Sequence, residues 1–370
     1  MAILAVDQRP TTQQLHPSDA IPARKTTVEI QPVLGNHRTI DTQRSSKQRT
    51  KTAPPTSRHH VIAPHKKTVQ RHAVSNLQKI VWRLMPATTV GRAINSAKQR
   101  LDDANCTTSH LDAQVLLAHV LQVDRSWLFA HHDYILSDEQ ADAYTAFIVR
   151  RMEHEPVAYL IGCKEFYGLD FVVDRRVLIP RPETELLVDA VLDQIELRDY
   201  APLQIADVGT GSGAIALAVA ANAPNATLYA IDVSAEALDV ARANAQCLDE
   251  RRQVRLLQGD LLTPLPVGVD IIVANLPYIS SHTYPTLDSD VRDYEPQLAL
   301  EAGPEGLDAI ARLLTQAPHH LNANGVIYLE IGYDQGAAVL ALVKTLLPQR
   351  RGVTLRQDYS GRDRLITIEM

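Results

Sequence analysis

The chain is 370 residues long, 45% hydrophobic and 22% charged, which is enough for two domains, a tail and a sizeable buried core. It has no run of 18 apolar residues and no CxxC pair among Cys106, Cys163 and Cys247. This excludes a membrane-spanning helix, a disulfide framework and a cysteine zinc site, and a soluble cytoplasmic protein without a metal, its thiols buried or half-buried, is expected. The net charge of -6 is uneven, with 12 Lys+Arg against 4 Asp+Glu in residues 1–74 and 25 against 39 in the rest; an acidic body matches a phosphate backbone poorly and permits a basic protein partner, so no direct nucleic-acid substrate is expected.

Residues 1–75 are rich in Thr, Gln, Pro, His, Lys and Arg and show little apolar periodicity. Such a composition cannot offset chain entropy, and a disordered basic extension is expected. Residues 76–162 read as a helical domain of four or five helices. Val90, Ile94, Ala97 and Leu101 recur at helical spacing, and Leu111, Val115 and Leu116 continue it in a second helix through residues 118–121. Ser137 followed by Gln140 is the capping-box start of a third helix to about Glu153, which Pro156 ends. His131 and His132 read as solvated loop. Over residues 163–182 the period changes: Phe166, Tyr167, Phe171, Val172, Val173, Val177 and Ile179 predict two short strands turning at residues 168–170, a hairpin that links two domains.

Residues 183–370 alternate strand and helix. Strands over 205–208, 227–231, 254–258, 269–274 and 326–331, with helices over 214–221 and 235–245, predict an α/β domain with a mostly parallel sheet covered on both faces. Ligands of such sheets bind at the carboxyl ends of the strands, where four motifs lie. The first strand runs into Gly209, Thr210, Gly211, Ser212 and Gly213, then a helix; glycine admits a sharp turn and close ligand approach, and the helix start offers free N–H groups. Gly209, Gly211 and Ala214 also satisfy the dinucleotide pattern, so this turn alone does not separate a nicotinamide cofactor from S-adenosylmethionine. Asp232, after the second strand, is placed to accept both ribose hydroxyls of an adenosine in either cofactor. Asp260 can accept from an adenine amino group while Leu261 packs on the ring.

The fourth motif, Asn275, Leu276, Pro277 and Tyr278 after a buried strand, separates the two. A planar nitrogen is a poor nucleophile because its lone pair is delocalised. Two acceptors aimed at its N–H groups hold it in line with a sulfonium methyl and stabilise the positive charge that develops. Asn275 Oδ1 and the Leu276 carbonyl can be those acceptors, Pro277 stiffens the turn, and Tyr278 offers an aromatic face to a planar group. No feature of this motif suits hydride transfer.

Across residues 85–370 the chain resembles the HemK/PrmC family, the protein-(glutamine-N5) methyltransferases of class I peptide chain release factors. The resemblance is carried by RRMEHEPVAYLIG at 150–162, EFYG at 165–168, IPRPETE at 179–185, the glycine turn, Asn275 to Tyr278, DVRDYEP at 290–296, LEIG at 329–332 and DYSGRDR at 358–364. It implies a helical substrate-binding domain ahead of a seven-stranded, Rossmann-like class I methyltransferase domain, expected to act as a monomer. It also implies S-adenosylmethionine as cofactor, held by Gly209, Thr210, Gly211, Ser212, Gly213, Asp232, Asp260, Leu261 and Asn275. The implied substrate is the glutamine of a release factor's Gly-Gly-Gln tip, held by Asn275, Leu276, Pro277 and Tyr278, with Arg181 and Glu183 beside the methionine end. Leu276 departs from the family's usual proline. Asn-Leu-Pro-Tyr is also the usual form in the rRNA adenine-N6 dimethyltransferases, so adenine-N6 methylation of rRNA or DNA is the alternative; the domain order, IPRPETE and the acidic body disagree with it.

Overall fold

The structure, a computed structural model, describes residues 88–249 and 251–370. The expected basic extension over residues 1–75, and residues 76–87 of the expected helical domain, lie outside the described residues. Among the described residues five helices come first: α1 (Val90–Asp103), α2 (Ser109–Leu121), α3 (Arg125–Ala130), α4 (Asp138–Met152) and α5 (Val157–Ile161). Val90, Ile94, Ala97 and Leu101 of α1 pack on Leu116, Leu117 and Ile148. The Ser137 hydroxyl accepts from the Gln140 amide while the Gln140 side chain accepts from the Ser137 amide, so α4 opens with the expected capping box, a device worth about 1 kcal/mol.

Two details of the bundle differ from the sequence reading. Leu111 is 42% exposed while Asp112 is buried. The buried face of α2 runs through Ala113, Leu116 and Leu117, and beside it Arg151 Nε donates to Asp112 Oδ2 at 2.7 Å. Helix α4 ends at Met152 with Glu153 as its C-cap, at the expected boundary, and His154 follows at φ 66°. Pro156 instead opens α5 as its N-cap. His131 and His132 are exposed, as expected. Of the thiols only Cys106 is buried; Cys163 is intermediate and Cys247 exposed, which corrects the expectation for the last.

The hairpin pairs β1 (Cys163–Phe166) with β2 (Leu169–Val172). Its turn is Tyr167–Gly168, φ 52° and 74°, one residue earlier than the sequence suggested. Positive φ at both central residues matches the strand twist. Phe166, Phe171, Val173, Val177 and Ile179 join Leu187, Val191 and Leu217 in one core. Asn244 locks the hairpin there, accepting from the Val172 amide at 2.8 Å and donating to its carbonyl at 3.0 Å. The segment expected as a linker is thus part of the larger core.

The remainder is a seven-stranded sheet. After α6 (Glu185–Glu196) come β3 (Gln204–Val208), α7 (Ala214–Asn222), β4 (Thr227–Asp232), α8 (Ala235–Leu248), β5 (Val254–Gln258) and β6 (Val269–Ala274). Then follow α9 (Ser289–Arg292), α10 (Asp308–Gln316), β7 (Leu321–Glu330), α11 (Gly336–Leu346), β8 (Gly352–Gln357) and β9 (Asp363–Glu369). The strand order is β5-β4-β3-β6-β7-β9-β8, and only β9 runs against its neighbours. Strand β7 begins five residues earlier than its apolar run because a bulge lets Leu321 pair with Val269 before Val326 pairs with Ile271. The two faces of the sheet bury separate apolar clusters, which is why the central strands read as continuous apolar runs. The order reverses between β3 and β6, and the crevice at that point is where open α/β sheets bind ligands. No helix among the described residues is long and apolar enough to cross a membrane.

Candidate active site

Strand β3 delivers the glycine turn. The Gly209 and Thr210 amides both donate to the Ile231 carbonyl at 2.9 Å, bending the chain over the end of β4. Asp207 is fully buried; its Oδ2 accepts from the Thr210 hydroxyl at 2.6 Å and the Ala216 amide at 3.1 Å. Its Oδ1 is buried with no partner among the described residues, and burial pushes its pKa up to about 7. Gly209 takes φ 76°, and a Cβ there would lie 3.1 Å from Leu276 Cδ2. Gly211, φ 56°, is different: a Cβ on it would meet nothing within 4 Å, so its backbone stands open to close approach. Ser212 and Gly213 turn toward the core. The Ser212 carbonyl accepts from Asn244 Nδ2 at 2.9 Å, and a Cβ on Gly213 would press on Leu217. Their side-chain positions are packing, and the Gly213 amide and carbonyl are taken by Thr210 and Leu217, which leaves the Ser212 amide without an acceptor among the described residues.

Asp232 ends β4 and is tied to this turn: its Oδ2 accepts from the Gly211 amide and its Oδ1 from the Ser234 amide, both at 2.9 Å. Burial raises its pKa while these amides oppose the rise. Each carboxylate oxygen keeps a lone pair for another donor. Asp260 pairs with Arg312 of α10, and its side chain is 45% exposed. Leu261, φ 51°, is half-buried against the apolar cluster beside β6.

Strand β6 delivers the other half. Val208 pairs with Ala274, so the glycine turn and Asn275 leave the sheet side by side. Leu276 is buried and packs on Gly209. Asn275 Nδ2 donates to Thr184 Oγ1 at 3.1 Å. Among the described residues no donor reaches Asn275 Oδ1 or the Leu276 carbonyl. Pro277 and Tyr278 are half-buried. Gln335 Nε2 donates to the Tyr278 carbonyl at 2.9 Å, which fixes the backbone leaving the motif. Burial pushes the Tyr278 phenol up to about 12, so it stays protonated.

IPRPETE contributes differently from its outline. Arg181 is engaged by Glu295, which also accepts from the Ile179 amide at 3.1 Å. Glu183 is exposed, and its neighbour Thr184 is the buried residue that meets Asn275. Thr184 and Glu330 went unassigned in the sequence reading; both lie in segments that carry the resemblance, which is the signal that could have flagged them.

The fold and the two motifs at its switch point define a class I methyltransferase. The family described as PrmC N-terminal domain matches residues 92–162, and the family described as Methyltransferase small domain matches residues 183–287. A release factor glutamine methyltransferase of Moorella thermoacetica is 44% identical over 278 residues, covering 75% of this chain and 96% of that protein. One of Rhodopirellula baltica is 40% identical over 266 residues, covering 70% and 88%. Among solved structures, the protein-(glutamine-N5) methyltransferase (release factor-specific) of Alicyclobacillus acidocaldarius is 27% identical, covering 54% of this chain and 98% of that one, with a TM-score of 0.34. The chain belongs to the release factor glutamine methyltransferase family.

Proposed function

We propose that this chain transfers a methyl group from S-adenosylmethionine to the side-chain amide nitrogen of the glutamine in the Gly-Gly-Gln tip of class I peptide chain release factors, acting as a cytoplasmic monomer in translation termination. The observation that carries the reading is the side-by-side exit of the glycine turn and Asn275 from β3 and β6, with Asn275 Oδ1 and the Leu276 carbonyl free of donors among the described residues.

The residues fit the cofactor. Gly211 leaves its backbone open, Asp232 keeps lone pairs for two hydroxyls, and Asp207 Oδ1 is buried without a partner among the described residues. Gly209, Thr210, Gly211, Asp232 and the Ser212 amide would hold it, with Gly213 closing the turn, Leu261 against the adenine and Asp260 reaching it only by sharing with Arg312. Bound there, S-adenosylmethionine supplies an electrophilic sulfonium methyl.

The chain's own groups do the rest. Asn275 Oδ1 and the Leu276 carbonyl accept the two N–H groups of the glutamine amide and set its nitrogen in line for attack. As positive charge develops on that nitrogen, the same oxygens stabilise it. Tyr278 lies along the flat amide, and Leu276, seated on Gly209, holds its own carbonyl in place. The proton leaves after transfer, from a far more acidic cation, so no side chain need act as a base beforehand.

The test is a labelled-methyl assay with the purified chain. Label is expected in a release factor carrying Gly-Gly-Gln and not in one whose tip glutamine is alanine. Label in rRNA instead would favour adenine methylation.

A further inference from the structure

Glu330 is the last residue of β7. Leu329 pairs with Ala274, so Glu330 stands level with Asn275 one strand away. It is 3% exposed, and its Oε2 has no donor among the described residues. The Thr184 side chain is the hydrogen-bonding neighbour that opposes the rise in its pKa, and Oε2 stands open to the hydroxyl proton. Thr184, 5% exposed, sits in the short turn ahead of α6 and accepts from Asn275 Nδ2 at 3.1 Å. The three side chains form a line from β7, through the turn, to the end of β6.

Hydrogen-bond polarity gives this line a direction. An ionised carboxylate only accepts, and a threonine hydroxyl has one proton. With that proton committed to Glu330, Thr184 can offer Asn275 only lone pairs. Asn275 must then turn its NH2 toward Thr184 and its oxygen away. A flipped amide would set oxygen against oxygen at Thr184 and point two donors at the donors of a substrate amide. We propose that Glu330, acting through Thr184, is a positioning residue that sets the orientation of the Asn275 amide so that its oxygen meets the substrate N–H. This rests on the reading of Asn275 as a substrate acceptor.

Protonation of Glu330 removes the constraint, because the acid can then donate to Thr184 and free the Thr184 proton for Asn275 Oδ1. Burial holds the Glu330 pKa up at about 7, opposed by the Thr184 bond and by Arg364 of β9 and Arg181, and reinforced by Glu183. The Tyr278 phenol also faces it. Turnover therefore falls on the acid side as Glu330 takes up its proton.

Methylation of an unmethylated release factor by the full chain, measured across pH together with the side-chain NH2 resonances of Asn275 by 15N NMR, tests this. Wild type is expected to lose kcat on the acid side with an apparent pKa near 7, and the Asn275 resonances to titrate with it. Thr184→Val should lower kcat by up to about 100-fold, the scale for misplacing a reacting group by an ångström, while S-adenosylmethionine still binds; Thr184→Ser should restore it. In Glu330→Gln the amide oxygen can still accept from Thr184, so both the acid limb and the Asn275 titration should vanish. Wild-type kcat in Thr184→Val, or an unchanged acid limb and titration in Glu330→Gln, would overturn the relay. If Thr184→Val fails to fold, the serine and glutamine variants decide. Titrating Asn275 resonances in a chain that labels no release factor would leave the relay standing and sink the substrate reading instead.

Discussion

Asn275 carries the most chemistry per atom. Its nitrogen is occupied by Thr184 and its oxygen is not, so a substitution separates binding from turnover. Asn275→Ala should cost about 2–4 kcal/mol of transition-state stabilisation, the scale of losing one oriented hydrogen-bonding group. The affinity for S-adenosylmethionine, measured by calorimetry, should fall less than kcat; undiminished turnover would remove Asn275 from its role. Leu276 is informative at the same scale. The acceptor there is main chain, which leucine supplies as well as proline, and burial against Gly209 provides the rigidity that a proline ring would.

Between elements, the segment after β6 is fastened to the helical domain. Arg151 of α4 bridges Asp112 of α2 at 2.7 Å and Asp290 of α9 at 2.8 Å, with only 4% of its side chain exposed. The Tyr294 hydroxyl donates to the Glu153 carbonyl at 2.7 Å. Arg150 and Arg175 share Glu155 at 2.8 and 3.2 Å, and Arg175 lies 4.6 Å over the Tyr294 ring. This arrangement explains why RRMEHEP and DVRDYEP, far apart in the chain, both carry the resemblance: they hold each other. Arg151→Ala leaves Asp112 buried without its cation and should destabilise the fold by about 3–5 kcal/mol, read from the urea midpoint. A loss under about 1 kcal/mol, the range of an exposed pair, would contradict the burial argument.

For the whole molecule, two buried acids give stability a pH dependence. Asp207 and Glu330 are both pushed up to about 7 by burial, whereas in an unfolded chain such acids titrate near 4. The folded protein therefore holds protons that the unfolded chain has released. The stabilisation from these groups is complete below about pH 4 and is lost as pH rises through 7. Carboxylates held low by a cation, such as Asp174 beside Arg176, work the other way, losing their contribution as pH falls through the acid range. Asp207→Asn should flatten the fall in Tm between about pH 5 and pH 8, since the amide cannot ionise; an unchanged slope would show that Asp207 does not hold its proton in the folded state.

What depends on near neighbours is written along the chain. Alternating apolar runs and helical faces predicted β3 to β6 nearly to the residue, and Ser137 with Gln140 predicted the cap of α4. The glycine turn and Asn275 to Tyr278 were legible because the chemistry of each sits in a few consecutive residues. Whatever joins residues distant in the chain emerges only on folding. Strands β8 and β9 were not read individually, and β7 began earlier than its apolar run because its first pairing depends on a bulge against Val269. Thr184 and Asn275 are 91 positions apart, Asp260 and Arg312 are 52, and Asp112 and Arg151 are 39. Side-chain partners at such separations are chosen by strand register and helix packing, which no local pattern encodes. That is why the motifs could be read from the chain, while the groups that orient or occupy them could be seen only in the fold.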